Sequence, residues 1–369
     1  MLFRSTPMCG IAGIISLNQS AIDASVLKKM TDAIKHRGPD GEGLWLNKNE
    51  TTALGHRRLS IIDLSDRASQ PMHFNNRYTI TFNGEIYNYI EIKTLLIKQG
   101  YSFLSDSDTE VLLALYDLKK EKCLEDLDGM FAFVIWDEQE QQLFCARDRF
   151  GEKPFYFHYE KTQRFLFASE MKALWAAGIK REINDNLLFN YLAAGVIHNS
   201  TSPSETFFNG ITKLEAGHFL TLDRNGTLNQ KRYWDINYNY SIAITESDAS
   251  EQFRSLMLQS VMRRLRADVP VGSSLSGGLD SSLIVCLIDQ LNADKRIIQN
   301  TFSARFKDYD RDEGRYMQLV INQTNVNPHF VYPDENKFLS HFDAMLHQDR
   351  KSTRLNSSHV SESRMPSSA

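Results

Sequence analysis

Cysteine is scarce and scattered. The four cysteines, at 9, 123, 145 and 286, show no paired spacing, which argues against a disulfide framework or a cysteine-rich zinc site. The 10 histidines form no metal-ligand pattern, so no transition metal is expected. Neither sign of charge dominates: 46 acidic and 42 basic residues leave a net charge of −4, and nothing suggests bulk nucleic-acid binding. No apolar run approaches the roughly 20 residues that span a bilayer, so no membrane partner is expected. The leader Met1-Leu-Phe-Arg-Ser-Thr-Pro7 is too short for a secretory signal. These absences favour a reducing cytoplasm. The 369 residues have ordinary soluble composition and suffice for two cores.

Apolar spacing orders the chain. Asp23 can cap a helix whose face is Val26, Leu27, Met30 and Ile34, ending at Arg37-Gly-Pro39. Ile92, Leu95 and Leu96 mark a second helix, stopped by Gly100, and residues 111–118 a third, with Asp108 near its start. Strands are expected at 9–16, 54–62, 78–82, 130–137, 142–147 and 155–158, and a hairpin within 206–234 turns at Asp223-Arg-Asn-Gly226. Clustered strands with intervening helices predict an α+β domain with antiparallel sheets. From about Ser247 the pattern becomes helix, strand 271–275, helix 282–291, strand 297–303, helix 313–322 and strand 327–331, the alternation of an α/β parallel sheet.

The densest chemistry lies in Val269-Pro-Val-Gly-Ser-Ser-Leu-Ser-Gly-Gly-Leu-Asp-Ser-Ser282. A strand leads through a glycine turn into a helix start, where unpaired N–H groups and the positive helix end favour an anion. No Lys-Ser/Thr follows the glycines, so γ-phosphate transfer is not the expected chemistry. Ser276, Ser281 and Asp280 instead suit gripping pyrophosphate with a metal ion during attack on the α-phosphate of ATP. The loop resembles the signature of the ATP pyrophosphatases.

Near the other end, Cys9 follows Met8, a plausible initiator. Removal of Met8 would join a thiol and an α-amine of near-neutral pKa in one residue, so the nucleophile carries its own base. Cys9-Gly-Ile-Ala-Gly13, His36-Arg-Gly-Pro-Asp-Gly41, His56-Arg-Arg-Leu-Ser-Ile-Ile-Asp63, Phe82-Asn-Gly-Glu-Ile-Tyr-Asn88, Ser107-Asp-Thr-Glu110, Arg147-Asp-Arg-Phe-Gly-Glu-Lys-Pro154 and Ala168-Ser-Glu-Met-Lys-Ala-Leu174 occur in this order. Together they resemble the class II glutamine amidotransferase domain. With the ATP loop downstream, the chain from Met8 to about Arg350 resembles the glutamine-hydrolysing asparagine synthetases.

The resemblance implies a four-layer α/β/β/α sandwich followed by an incomplete nucleotide-binding domain. It implies that Cys9 attacks the glutamine amide, with Asn83 and the Gly84 N–H stabilising the oxyanion. Gly84 is expected in a turn that aims its N–H at substrate. Arg58 would hold the glutamine carboxylate, Glu85 and Asp108 the ammonium, and Leu59 and Ser60 the pocket wall. His36 and His56 are expected to be structural. ATP would meet Leu275, Ser276, Gly277, Gly278, Asp280 and Ser281, with Ala304 of Thr301-Phe-Ser-Ala304 near the adenine and Asp280 acting through Mg2+. The implied small-molecule partners are glutamine, aspartate and ATP, and the resemblance leaves room for a homodimer.

The expected segments are a misassigned leader 1–8, a glutaminase domain 9–218, a hairpin and connection 219–245, a partial synthetase domain 246–350 and a tail 351–369. The tail has little apolar content and reads as disordered and foreign to the gene, in the manner of translated vector. The family's later acidic motif and catalytic lysine are not found before Arg350, so glutamine hydrolysis without asparagine formation is expected of this chain. Three rivals stand beside this reading: another acceptor class such as a sugar phosphate, a peptide or glycan carboxylate acceptor, and a catalytically inactive binding module.

Overall fold

The computed structural model describes residues 2–3, 8–239, 241–292, 299–306, 312–334, 339–340 and 342. They divide into two compact units, one built on Pro7–Ile236 and the other on Asn237–Met345. The expected tail, and all of the leader but 2, 3 and 8, lie outside the described residues.

The first unit contains two six-stranded sheets. One runs Thr212–Lys213, Tyr156–Glu160, Arg164–Ala168, Gly10–Ser16, Thr52–Arg58, Gly41–Leu46. The other runs Leu228–Arg232, His218–Leu222, Gln142–Arg147, Gly129–Asp137, Tyr78–Ile86, Met72–Phe74. All the pairings between these strands are antiparallel.

Strand periodicity explains the layering. Ile11 and Ile15 join Leu54, Val134, Trp136, Phe165 and Phe167 in a core between the sheets. Ala12 and Ile14, one residue out of phase, face an outer core with Leu27, Met30 and Leu174 from helices Ala24–Ala33 and Met171–Ala176. On the far side Ile80, Phe82, Phe131, Phe133 and Phe144 pack on helices Tyr89–Lys98 and Asp108–Lys119. The order is helix, sheet, sheet, helix, as the resemblance implied. Burial of both faces is why 131–136 is an unbroken apolar run rather than an alternating one.

Asp23 caps its helix as expected, accepting the Ser25 N–H. Three strands of the first unit were not anticipated: Gly41–Leu46, Met72–Phe74 and Arg164–Ala168. The strand expected at 54–62 stops at Arg58, and the one expected at 78–82 runs on to Ile86.

In the second unit Gly272–Ser274, Gln299–Ala304 and Val326–Val331 are parallel, with Leu2–Phe3 antiparallel to the first of them. Helices Leu279–Leu291 and Gly314–Gln323 link them, after helix Glu246–Arg264. Among the described residues no helix is long and apolar enough to cross a membrane.

Candidate active sites

Cys9 immediately precedes the central Gly10–Ser16 strand. Its Sγ accepts the Leu59 N–H at 3.3 Å and lies 3.5 Å from the Leu59 carbonyl oxygen. That contact explains the early end of the Thr52–Arg58 strand. The backbone beyond it turns aside, Leu59 to the thiol and the Ser60 N–H to Asp40 Oδ2 at 2.9 Å. Burial raises the Cys9 thiol above its ordinary range; the Leu59 N–H and the charges of Lys153 and Arg37 oppose the rise, and Asp108 adds to it. A thiol in this state needs a base to become a nucleophile.

Arg37, fully buried, donates from Nε to the Cys9 carbonyl at 3.0 Å and from Nη1 to Glu170 at 2.7 Å. Glu170 also meets Lys172 at 2.8 Å and His36 Nε2 at 3.1 Å. Burial pushes the Glu170 carboxyl up, but His36, Arg37 and Lys172 together hold it well below the usual carboxylate range. His56 Nε2 lies 3.1 Å from the Phe82 carbonyl oxygen, and burial pushes its pKa down to about 3. Both histidines have structural surroundings.

Asn83, Gly84 and Glu85 lie within the Tyr78–Ile86 strand. The expected turn is therefore corrected: Gly84 pairs with Phe131 in regular sheet. Glycine is required because a Cβ would stand 2.2 Å from the Met130 carbonyl oxygen. Asn83 is 1% exposed, and neither atom of its carboxamide has a hydrogen-bond partner among the described residues. A buried amide without partners costs about 1–3 kcal/mol. Such a group in a well-packed strand is suited to a substrate carbonyl.

The strand is pinned near the site. Phe82 N–H donates to Gln70 Oε1 at 2.6 Å, and the Ile86 N–H to Asp108 Oδ2 at 2.9 Å. Thr81 Oγ1 donates across to the Gly55 carbonyl at 3.1 Å, tying the two sheets together. Asp108 and Glu85 are both buried. Ser107, not Asp108, caps the following helix; its hydroxyl accepts the Thr109 N–H. Arg58 donates to the Ser65 and Asp63 carbonyls at 3.0 and 2.5 Å, so its guanidinium also shapes the loop after Ser60. The fold thus gathers Cys9 with Leu59 directly, Arg58 and Ser60 on the same loop, and Asp108 through the neighbouring strand.

Residues without an assigned role also emerge. Arg147 donates to the carbonyls of Lys153, Leu214 and Gly151 at 2.7, 2.6 and 2.7 Å. The Asp148 carboxylate accepts the N–H groups of Phe131, Phe150, Glu152 and Lys153. The signal for this clamp was a charged pair directly after an apolar strand and ahead of Gly151 and Pro154.

In the second unit the glycine loop is held by its own hydroxyls. Ser276 and Ser281 Oγ atoms are 3.0 Å apart; Ser276 N–H donates to Ser281 Oγ at 3.2 Å, and Gly278 N–H to Ser276 Oγ at 3.3 Å. Ser281 is buried and also donates to the Gly278 carbonyl, so its hydroxyl shapes the loop. Gly277 has φ +87° and lies against Glu313. Gly278 is the N-cap of Leu279–Leu291 with no side-chain cap, leaving that helix end suited to an anion. Leu275 and Ala304 stand at the carboxyl ends of adjacent parallel strands, where such sheets take ligands. Asp280 is exposed in the first turn. Among the described residues no three His, Cys, Asp or Glu gather as a metal cluster. One carboxylate beside a phosphate cradle fits Mg2+ only in the mode where phosphates supply most of the oxygens.

The chain joins an antiparallel four-layer unit carrying a clamped cysteine to a separate parallel-sheet unit with a glycine loop at a helix start. Residues 8–234 match the family described as glutamine amidotransferase domain, and residues 252–367 the one described as asparagine synthase. The chain is 36% identical over 346 residues to asparagine synthetase (glutamine-hydrolyzing) 1 of Bacillus subtilis, covering 92% of this chain and 53% of that protein. Asparagine synthetase (glutamine-hydrolyzing) 3 of the same organism is 33% identical over 361 residues, 93% of this chain and 57% of the relative. Amidase chry2 of Gibberella zeae is 33% identical over 361 residues, 91% and 52% respectively. The chain therefore belongs to the glutamine-hydrolysing asparagine synthetase family, a carbon–nitrogen ligase family, and spans about half the length of these relatives.

Proposed function

We propose that Cys9 releases ammonia from glutamine and that the second unit activates a carboxylate, aspartate, as its adenylate for that ammonia to attack. The observation that carries the reading is the Cys9 thiol gripped by Leu59 while the Asn83 carboxamide, buried in a strand tied to the Cys9 sheet through Thr81, lacks a partner among the described residues.

With Met8 removed, the Cys9 α-amine takes the thiol proton and Sγ attacks the side-chain carbonyl carbon of glutamine. Asn83 Nδ2 and the Gly84 N–H receive the charge that develops on oxygen. Collapse breaks the C–N bond; the departing nitrogen takes the proton from the α-ammonium and leaves as ammonia. Water then cleaves the thioester. Arg58 holds the glutamine carboxylate, Glu85 and Asp108 its ammonium, and Leu59 and Ser60 bound the pocket.

In the second unit, Ser276, Gly277, Gly278 and Ser281 form the cradle for the departing pyrophosphate, with Leu275 and Ala304 flanking the nucleotide. Magnesium, if bound with ATP, would neutralise phosphate charge, and Asp280 is the residue that would share in holding it. Ammonia displaces AMP from the adenylate to give the amide. These are small-molecule reactions, and the reading places them in the cytoplasm.

The test is a glutaminase assay on protein whose mature N-terminus has been read by mass spectrometry. Glutamate release with Cys9 as first residue, and its loss in Cys9→Ala, is the expected result. Activity that survives Cys9→Ala, or that persists with the leader still attached, overturns the reading.

A further inference from the structure

Lys153 is 2% exposed, an uncommon place for an ammonium. Its Nζ lies 2.6 Å from Met8 Sδ, on the residue whose carbonyl is bonded to the Cys9 nitrogen. The backbone that delivers it is fixed from both sides: its N–H donates to Asp148 Oδ2 at 2.9 Å, and its carbonyl accepts Arg147 Nε at 2.7 Å. The Arg147–Asp148 clamp therefore aims one cation at the residue that precedes Cys9.

Among the described residues, Lys153 and Arg37 favour the anionic form of Cys9, and Asp108 opposes it. Arg37 is already paired with Glu170, which also holds His36 and Lys172. Lys153 Nζ instead contacts Met8, the neighbour of Cys9 in the chain.

We infer that Lys153 is a positioning residue for the nucleophile, biasing the Cys9 α-amino group toward its neutral, proton-accepting form. The inference rests on the amine-as-base reading given above. An ordinary α-amine, with a pKa of about 7.7–8.0, is mostly protonated at neutral pH and is then no base. A like charge in a buried setting disfavours that protonated form.

During the reaction the S–H bond breaks and an N–H bond forms, giving thiolate and ammonium. Lys153 attracts the first and repels the second, so its effects on the transfer step largely offset. Its influence falls on the fraction of enzyme ready to react at a given pH. It therefore sets the acidic limb of the pH profile and leaves the plateau nearly alone.

The experiment is kcat/KM for glutamine hydrolysis against pH, on full-length mature protein with Cys9 confirmed as first residue. Wild type is compared with Lys153→Met, Lys153→Gln and Lys153→Arg, each checked by thermal unfolding. The acidic limb is expected to move up by about one pH unit in the Met and Gln variants, with a similar plateau at high pH. Lys153→Arg is expected to restore the wild-type limb. Two neutral variants keep the test alive if one misfolds. A limb that stays in place, or a plateau that falls equally at every pH, overturns the inference while leaving the Cys9 mechanism intact. An inactive wild type with Cys9 exposed instead overturns the mechanism on which it rests.

Discussion

Packing around Asn83 leaves its carboxamide without a partner among the described residues, a cost that a purely structural residue has no reason to carry. Replacing it with alanine removes the cost and the oxyanion donor together. Asn83→Ala is expected to lower kcat for glutamine hydrolysis by about 10²–10³-fold while the melting temperature holds or rises. Steady-state kinetics beside thermal unfolding checks this, and a fall in melting temperature with kcat preserved would contradict it. His56 gives a pH dependence. Its folded pKa is about 3 against an ordinary 6.5, so between those values the unfolded chain binds the proton and the folded one does not. Stability should therefore fall as pH drops below 6.5, by up to about 1.4 kcal/mol per pH unit from this one group. Denaturant titrations from pH 7 to 4 should show a flatter decline in His56→Gln. Legibility at this scale followed sequence locality. Cys9, Asn83 and the ATP-loop glycines sit in short motifs whose spacing carries the chemistry. Arg37 finds Glu170 from 133 positions away and Lys153 finds Met8 from 145, and no local pattern reports such pairs.

Elements were easiest to read where apolar periodicity and capping agree, as in Asp23 ahead of Ala24–Ala33. They were hardest where long-range backbone contacts decide. Gly84 was expected in a turn because aiming a backbone N–H at a substrate is easiest where no side chain intervenes. The fold instead places it mid-strand, against the Met130 carbonyl, where only the lack of a side chain fits. Gly41–Leu46 was missed because it is an edge strand with two glycines and little burial. Gly277 is a different case: its φ of +87° is a real demand for glycine at the ATP loop. Gly277→Ala would meet the Glu313 carbonyl oxygen at 2.9 Å as well as the strained backbone. A penalty of about 1–3 kcal/mol is expected there, enough to weaken ATP binding by roughly tenfold or more in calorimetric titration, with glutamine hydrolysis unchanged. Equal loss of both activities would point to general unfolding instead.

On the scale of the whole molecule, motif order and the switch from clustered to alternating strands foretold two units of different architecture. The number and order of strands in each sheet were not foretold, because register depends on which distant strands pair. The first unit has three apolar cores in four layers, so its central strands bury both faces. Gly10–Ser16 is buried at every position, and Gly129–Asp137 at all but its first two. Strands with no wet side leave no room on them for a fluorophore, an affinity handle or a stitched-in peptide. The tip between Asp137 and Gln142, exposed at Gln139 and Glu140, is the door through which a biochemist can attach something without disturbing the interior.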